Sequence, residues 1–130
     1  MKQDALFLVI DDMATTSKLT SNLLTMKGFK NIMRASDGEE AWKILIDQYV
    51  KTKPVACVIS DWNMPKLNGL DLLKKVRADI RFLTLPFIML TNESEKMNLL
   101  TAVKSGVSAY FIKPVKTDEL ITKINALLGP

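Results

Sequence analysis

Histidine is missing altogether from this 130-residue chain. No Ser/His/Asp triad, histidine-ligated zinc or histidine phosphodonor can therefore exist within it. Cysteine occurs once, as Cys57, so no internal disulfide can form. Cys57 lies in an apolar run, which marks it as a buried structural thiol rather than a reactive one. Long hydrophobic stretches are also lacking. The first apolar run, Ala5 to Ile10, is short and ends in two aspartates, unlike a secretory leader. No run approaches the ~20 apolar residues that a membrane helix needs, so a cytoplasmic protein is expected. Dense blocks of one charge are absent too. The net charge is +4, but lysines 51, 53, 66, 74, 75, 96, 104, 116 and 123 are scattered and have no aromatic interleaving. That pattern fits a mildly basic, solvated surface better than a nucleic-acid patch, and it suits acidic partner segments.

What is present is regular. The length and the 48% hydrophobic content suffice for one compact core, and residues 1–130 read as a single domain. With Gly129-Pro130 following the last helix-like segment, no output domain is expected. Apolar runs at 5–10, 55–60, 87–90 and 109–112, with a weaker one at 31–35, alternate with helix-like segments near 16–27, 38–48, 68–78, 94–105 and 117–128. Asp37 with Glu40 three residues later is a capping-box pattern, and Ala41, Ile44 and Leu45 give that helix an apolar face. Leu120, Ile121, Ile124, Leu127 and Leu128 form one stripe of the last helix. Strand–helix alternation with short connections predicts an α/β fold with helices on both faces of a parallel sheet.

The strand ends carry the chemistry. In a parallel sheet every strand C-terminus lies on one edge, so Asp11, Asp12, Asp61, Thr91 and Lys113 are predicted to converge. Adjacent Asp11 and Asp12 repel each other and are costly to desolvate unless a cation neutralises them. Magnesium suits such a site because it takes oxygen ligands and retains waters and phosphate oxygens, and manganese can substitute. Capping of the following helix is the plainer use for the same two aspartates. Asp61 opens Asp61-Trp62-Asn63-Met64-Pro65 directly after an apolar run. A carboxylate beside a metal there is placed to attack a phosphoryl group and form an aspartyl phosphate. A backbone carbonyl near Asn63 would be a further metal ligand. Thr91 can donate to phosphoryl oxygens, and Lys113 can pair with Asp61 or with phosphate. Lys113-Pro114 marks a fixed turn with a candidate cis bond.

Over residues 5–128 the chain resembles the receiver domains of two-component response regulators, and among them the stand-alone chemotaxis regulators of the CheY type. The stretch Ile59-Ser60-Asp61-Trp62-Asn63-Met64-Pro65, followed by Asn68-Gly69-Leu70, carries the resemblance. It implies a flavodoxin-like (βα)5 doubly wound fold with strand order 2-1-3-4-5. It places the phosphoacceptor on Asp61, the acidic pair on Asp11 and Asp12 with Asp12 the more direct magnesium ligand, the switch hydroxyl on Thr91 and the family's lysine on Lys113. The aromatic switch falls on Tyr110, for which a half-buried strand residue with its hydroxyl at the surface is the plainer reading. The implied output face is formed by segments 94–105, 108–112 and 117–128, with Lys96, Leu99, Val103, Tyr110 and Lys123 as candidates; Leu99 and Val103 serve equally well as core residues. The implied partners are a histidine kinase of the CheA type, acting in trans, a flagellar motor switch protein and a phosphatase. The protein is expected to be a monomer that binds neither nucleic acid nor membrane, and a signalling protein rather than a turnover enzyme.

Three positions depart from the family pattern. Asn92 follows the switch threonine where a small residue is usual, and its amide is expected to restrict access to the site. Val115 replaces a common phenylalanine, and the basic balance is unlike the acidic character common in CheY proteins. Other functions weighed on the same residues are a phosphate sink or relay intermediate, an aspartyl-nucleophile phosphatase and a flavin mononucleotide carrier. The phosphatase would need a second acid where Asn63 stands. The carrier would bring a flavin phosphate against Asp11-Asp12.

Overall fold

The computed structural model describes residues 2–92 and 96–129. Five strands, β1 (Leu6–Ile10), β2 (Asn31–Ala35), β3 (Cys57–Ser60), β4 (Phe87–Thr91) and β5 (Ala109–Ile112), alternate with five helices. The helices are α1 (Ala14–Met26), α2 (Gly38–Val50), α3 (Gly69–Arg77), α4 (Lys96–Lys104) and α5 (Thr117–Leu128). All strand pairs are parallel, in the order β2-β1-β3-β4-β5. The expected flavodoxin-like (βα)5 architecture is therefore observed. The fourth helix, expected from residue 94, is seen from Lys96; residues 94 and 95 lie outside the described residues.

Side chains alternate across the sheet with the period of two that strands impose. Phe7, Val9, Cys57, Ile59 and Ile88 pack with Leu24 of α1 and with Leu120 and Ile124 of α5. Leu8, Ile10, Val58, Phe87 and Met89 pack on the opposite face with Ala41 and Leu45 of α2 and with Leu72 and Val76 of α3. Each fully buried aliphatic or aromatic side chain contributes about 1.5–3 kcal/mol, which makes these two layers the source of the fold's rigidity. Cys57 is fully buried, and desolvation pushes its thiol up to about 12, so it is inert as expected.

Register sets the functional edge. Ile10 pairs with Ser60, so Asp11 and Asp61 leave the sheet side by side. Thr91 pairs with Ile112, so Lys113 leaves beside Thr91, and its N–H donates to the Thr91 carbonyl at 2.8 Å. The peptide bond between Lys113 and Pro114 is cis.

The helix starts show which local signals matter. Asp37 caps α2, accepting from the Glu40 N–H at 2.8 Å. The reciprocal half of the capping box is displaced, because Glu40 Oε1 accepts from the Ser36 N–H at 2.7 Å. Asn68 caps α3 by accepting from the Asp71 N–H at 2.8 Å. The aspartates before α1 do not cap it in that way. Asp11 Oδ1 accepts from the Met13 N–H, at 2.9 Å, and Met13 itself is an N-cap without a side-chain bond.

Candidate functional site

Lys113 is the hub of the C-terminal edge. Its Nζ donates to Asp11 Oδ2 at 3.1 Å and lies 3.4 Å from Asp61 Oδ2, with all three side chains largely buried. Asp11 is held from the other side by Met13, and its N–H donates to the Ala35 carbonyl at 3.1 Å. The N–H of Asp61 donates to the Ile10 carbonyl at 3.0 Å, and Asp61 Oδ1 accepts from the Trp62 N–H at 2.6 Å. Ser60, buried in β3, donates from Oγ to the Asp61 main-chain carbonyl at 2.8 Å. Backbone and side chain of Asp61 are thus both fixed.

Asp11, Asp12 and Asp61 each offer a carboxylate oxygen within 4.8 Å of the others. Three carboxylates against one ammonium leave this corner negative, and a hard divalent cation supplies what is missing. The donor set is all oxygen, which suits such a cation, and Asp12 is the exposed member of the three. Asp11, Asp12, Met13, Thr16, Asp61, Asn63, Asn92 and Lys113 line a cavity of about 260 Å³ here. Asn63 lines the same cavity as the three carboxylates. The larger cavity, about 470 Å³, lies at the opposite edge of the sheet near Asp4, Asn31 and Lys53, away from this chemistry.

The remaining predicted residues divide into groups. Thr91 is fully buried at the end of β4, and it is the next residue, exposed Asn92, that lines the cavity. Tyr110 is half-buried on the α2–α3 side of the sheet, with its ring edge-on to Trp62 at 6.4 Å between centroids. Leu99 and Val103 are 38% and 59% exposed, which removes them from the core. Lys96 is exposed on α4 and Lys123 on α5. Lys123 lies beside Phe111, whose side chain faces the α1–α5 layer, whereas Tyr110 faces the other way. The five surface candidates are thus split about the edge of β5. Val115 packs half-buried against the α1–α5 layer.

Comparison with known proteins agrees with this geometry. The family model for the response regulator receiver domain matches residues 7–125. The chain belongs to the receiver domain family. This receiver is 44% identical to the chemotaxis protein CheY1 of Helicobacter pylori, over 94% of its own length and 95% of that protein. It is 41% identical to a CheY homologue of Campylobacter jejuni, over 94% of its length and 91% of the homologue. Among solved structures it is similar to a response regulator receiver domain from Clostridium thermocellum, with TM-score 0.83, 31% identity and coverage of 95% and 94%. CheY4 of Vibrio cholerae gives TM-score 0.80 and 26% identity, over 95% of this chain and 98% of that one. The receiver is thus a phosphoryl acceptor of two-component signalling, of the CheY-like kind.

Some residues that shape the receiver site gave no sequence signal. Met13 positions Asp11 through its backbone alone, a role open to any residue but proline. Trp62 was legible as part of a motif, but its contact with Tyr110 bridges positions far apart in the chain. Gly38 matters through its close approach to the loop after β3, which only the folded chain reveals, whereas Gly69, which approaches the same loop, was legible in the motif Asn68-Gly69-Leu70.

Proposed function

We propose that this receiver is a single-domain, cytoplasmic response regulator that takes a phosphoryl group onto Asp61 in a magnesium-dependent reaction and thereby changes its affinity for a partner. The observation that carries this reading is the convergence of Asp11, Asp12, Asp61 and Lys113 at one sheet edge, on an open cavity. The Asp61 carboxylate attacks phosphorus, a P–O bond forms to make an acyl phosphate, and the bond to the donor breaks. The leaving group is the imidazole of a phosphohistidine, which the kinase must supply because this chain has no histidine. Asp11, Asp12, Asp61 and the Asn63 carbonyl would hold the magnesium ion. When bound, it neutralises charge developing on the transferred group.

Lys113 moves its charge from the carboxylates to the phosphoryl oxygens, and the Thr91 hydroxyl turns toward the same oxygens. Trp62, joined directly to Asp61 and edge-on to Tyr110, supports a path from the phosphorylated residue to the aromatic switch. The output partner is an amphipathic segment of a flagellar motor switch protein, and the donor is a kinase of the CheA type. Similarity to chemotaxis proteins supports both assignments. Exposed Leu99 and Val103 with Lys96 on α4 suit a helix carrying apolar and acidic residues, and Lys123 adds a charge from α5. Asn63 offers an amide where a phosphatase of the aspartyl-nucleophile class needs an acid, so the phosphoryl group resides on the protein rather than turning over on a substrate.

The test is intact-protein mass after incubation with acetyl phosphate. One phosphoryl adduct is expected, present with magnesium, lost with chelator and labile to hydroxylamine. An adduct that survives hydroxylamine, or none at all, would end the proposal. Asn92 gives a graded version of the same assay, because its exposed amide lines the cavity. Asn92→Ala is expected to speed both phosphorylation and decay, because the smaller side chain opens the cavity to donor and water. Unchanged rates would show that the amide does not restrict access.

A further inference from the structure

The loop between Asp61 and Gly69 is gripped by two helices through the same device. At the start of α3, the Gly69 N–H donates to the Trp62 carbonyl at 2.8 Å, and a β-carbon on Gly69 would overlap the Asp61 carbonyl oxygen. At the start of α2, the Gly38 N–H donates to the Leu67 carbonyl at 3.0 Å, and a β-carbon there would overlap that oxygen and lie 2.8 Å from Leu67 Cβ. First-turn amides have no partner within their own helix, so both are free to be spent on the loop. Lys66, in the left-handed region at φ 66°, turns the chain between the two grips, and its Nζ lies 3.9 Å from Asp37 Oδ2. Residues 63–66 are thus suspended between two fixed carbonyls, and they include Asn63, whose own carbonyl is the candidate metal ligand.

The α3 grip touches Asp61 directly, but the α2 grip does not. From this geometry we infer that Gly38 is a positioning residue for the metal site, acting through Leu67 on the placement of the Asn63 carbonyl. The inference rests on the receiver reading given above. A β-carbon at Gly38 must push Leu67 away, and Leu67 is itself packed on the α2–α3 core, so the shift is passed along the loop instead of being absorbed. Coupling of this kind is reciprocal. If the grip favours the metal-binding loop, metal binding must in turn tighten the grip.

Two measurements on the full chain test this, both by NMR with magnesium chloride as the only added ligand. In wild type, exchange of the Gly38 amide is expected to slow about fivefold at saturating magnesium, well beyond any change at the Phe29 amide, a turn contact remote from the site. This measurement needs no variant to fold. In the second, Gly38→Ala is expected to raise the magnesium dissociation constant about tenfold, read from the amides of residues 61–63. Lys43→Gly loosens the same helix at an exposed position outside that core and is expected to change the constant by less than about twofold. Equal slowing at Gly38 and Phe29, wild-type affinity in Gly38→Ala, or equal loss in both variants would overturn the inference. Wild-type amides at 61–63 that ignore magnesium would instead overturn the receiver reading, and the grip's proposed role with it.

Discussion

Asp61→Asn is expected to eliminate the acetyl-phosphate adduct without destabilising the metal-free protein. The amide keeps the shape of the side chain, and its oxygen can still accept from the Trp62 N–H. It has no anionic oxygen to attack phosphorus, and the loss of a nucleophile leaves no partial route to an acyl phosphate. The stability half of the prediction comes from counting charges. Asp61 lies within 4.8 Å of two other carboxylates, and at an effective dielectric near 20 each repulsion amounts to about 3–4 kcal/mol. Its attraction to Lys113, at 3.4 Å, is larger, about 5 kcal/mol at the same dielectric, but smaller than the two repulsions together. Two repulsions are removed with one attraction, while the Lys113–Asp11 pair at 3.1 Å remains. Urea denaturation in chelator should therefore show unchanged stability or a gain of about 1 kcal/mol, the usual sign of a functional residue held against local stability. A persisting adduct would remove Asp61 from the chemistry. A loss above about 1 kcal/mol would show that its hydrogen bonds outweigh the charge repulsion.

The catalytic edge was legible because one rule, that parallel strands end together, converts strand ends in sequence into neighbours in space. Asp11, Asp61 and Lys113 needed nothing more than correct strand ends, and apolar runs bounded by charge mark those well. Helix ends were less legible where no side chain signals them. Helix α1 begins two residues before the expected start, because its N-cap is Met13 and the carboxylate of Asp11 bonds outside the helix. Helix α2 continues past the expected residue 48 to Val50, ending on exposed Tyr49 and Val50 with no glycine or proline to stop it. The output face was the least legible part. Helical spacing cannot say whether Leu99 and Val103 face the core or solvent when the flanking residues are also apolar. Strand alternation, read more strictly, would have separated Tyr110 from the Phe111 side where Lys123 lies. The grips at Gly38 and Gly69 depend on how closely two helices approach one loop, a distance that no local pattern encodes.

Lys113→Met should have the opposite profile to Asp61→Asn, and it separates the two roles of this corner. Methionine retains a stem of similar length and its packing, so the change is chiefly the loss of one ammonium. Asp11 and Asp61 then face each other and Asp12 without the two ammonium contacts of Lys113, and Asp11 is buried. Removing one partner of a buried ion pair costs about 3–5 kcal/mol, and partial exposure of this corner places the expectation at the lower end, about 3 kcal/mol in chelator. Magnesium binds the folded site and not the unfolded chain, so it should restore part of that loss, and the gain should exceed the wild-type gain because the competing ammonium has gone. Urea denaturation of both proteins, with and without magnesium, measures all four stabilities. A variant as stable as wild type in chelator would mean that the three carboxylates are already neutralised by other means. A variant destabilised equally in both buffers would mean that Lys113 contributes through its stem and not its charge. Only a deficit that magnesium closes supports the view that the lysine occupies, in the metal-free receiver, the electrostatic place of the missing cation.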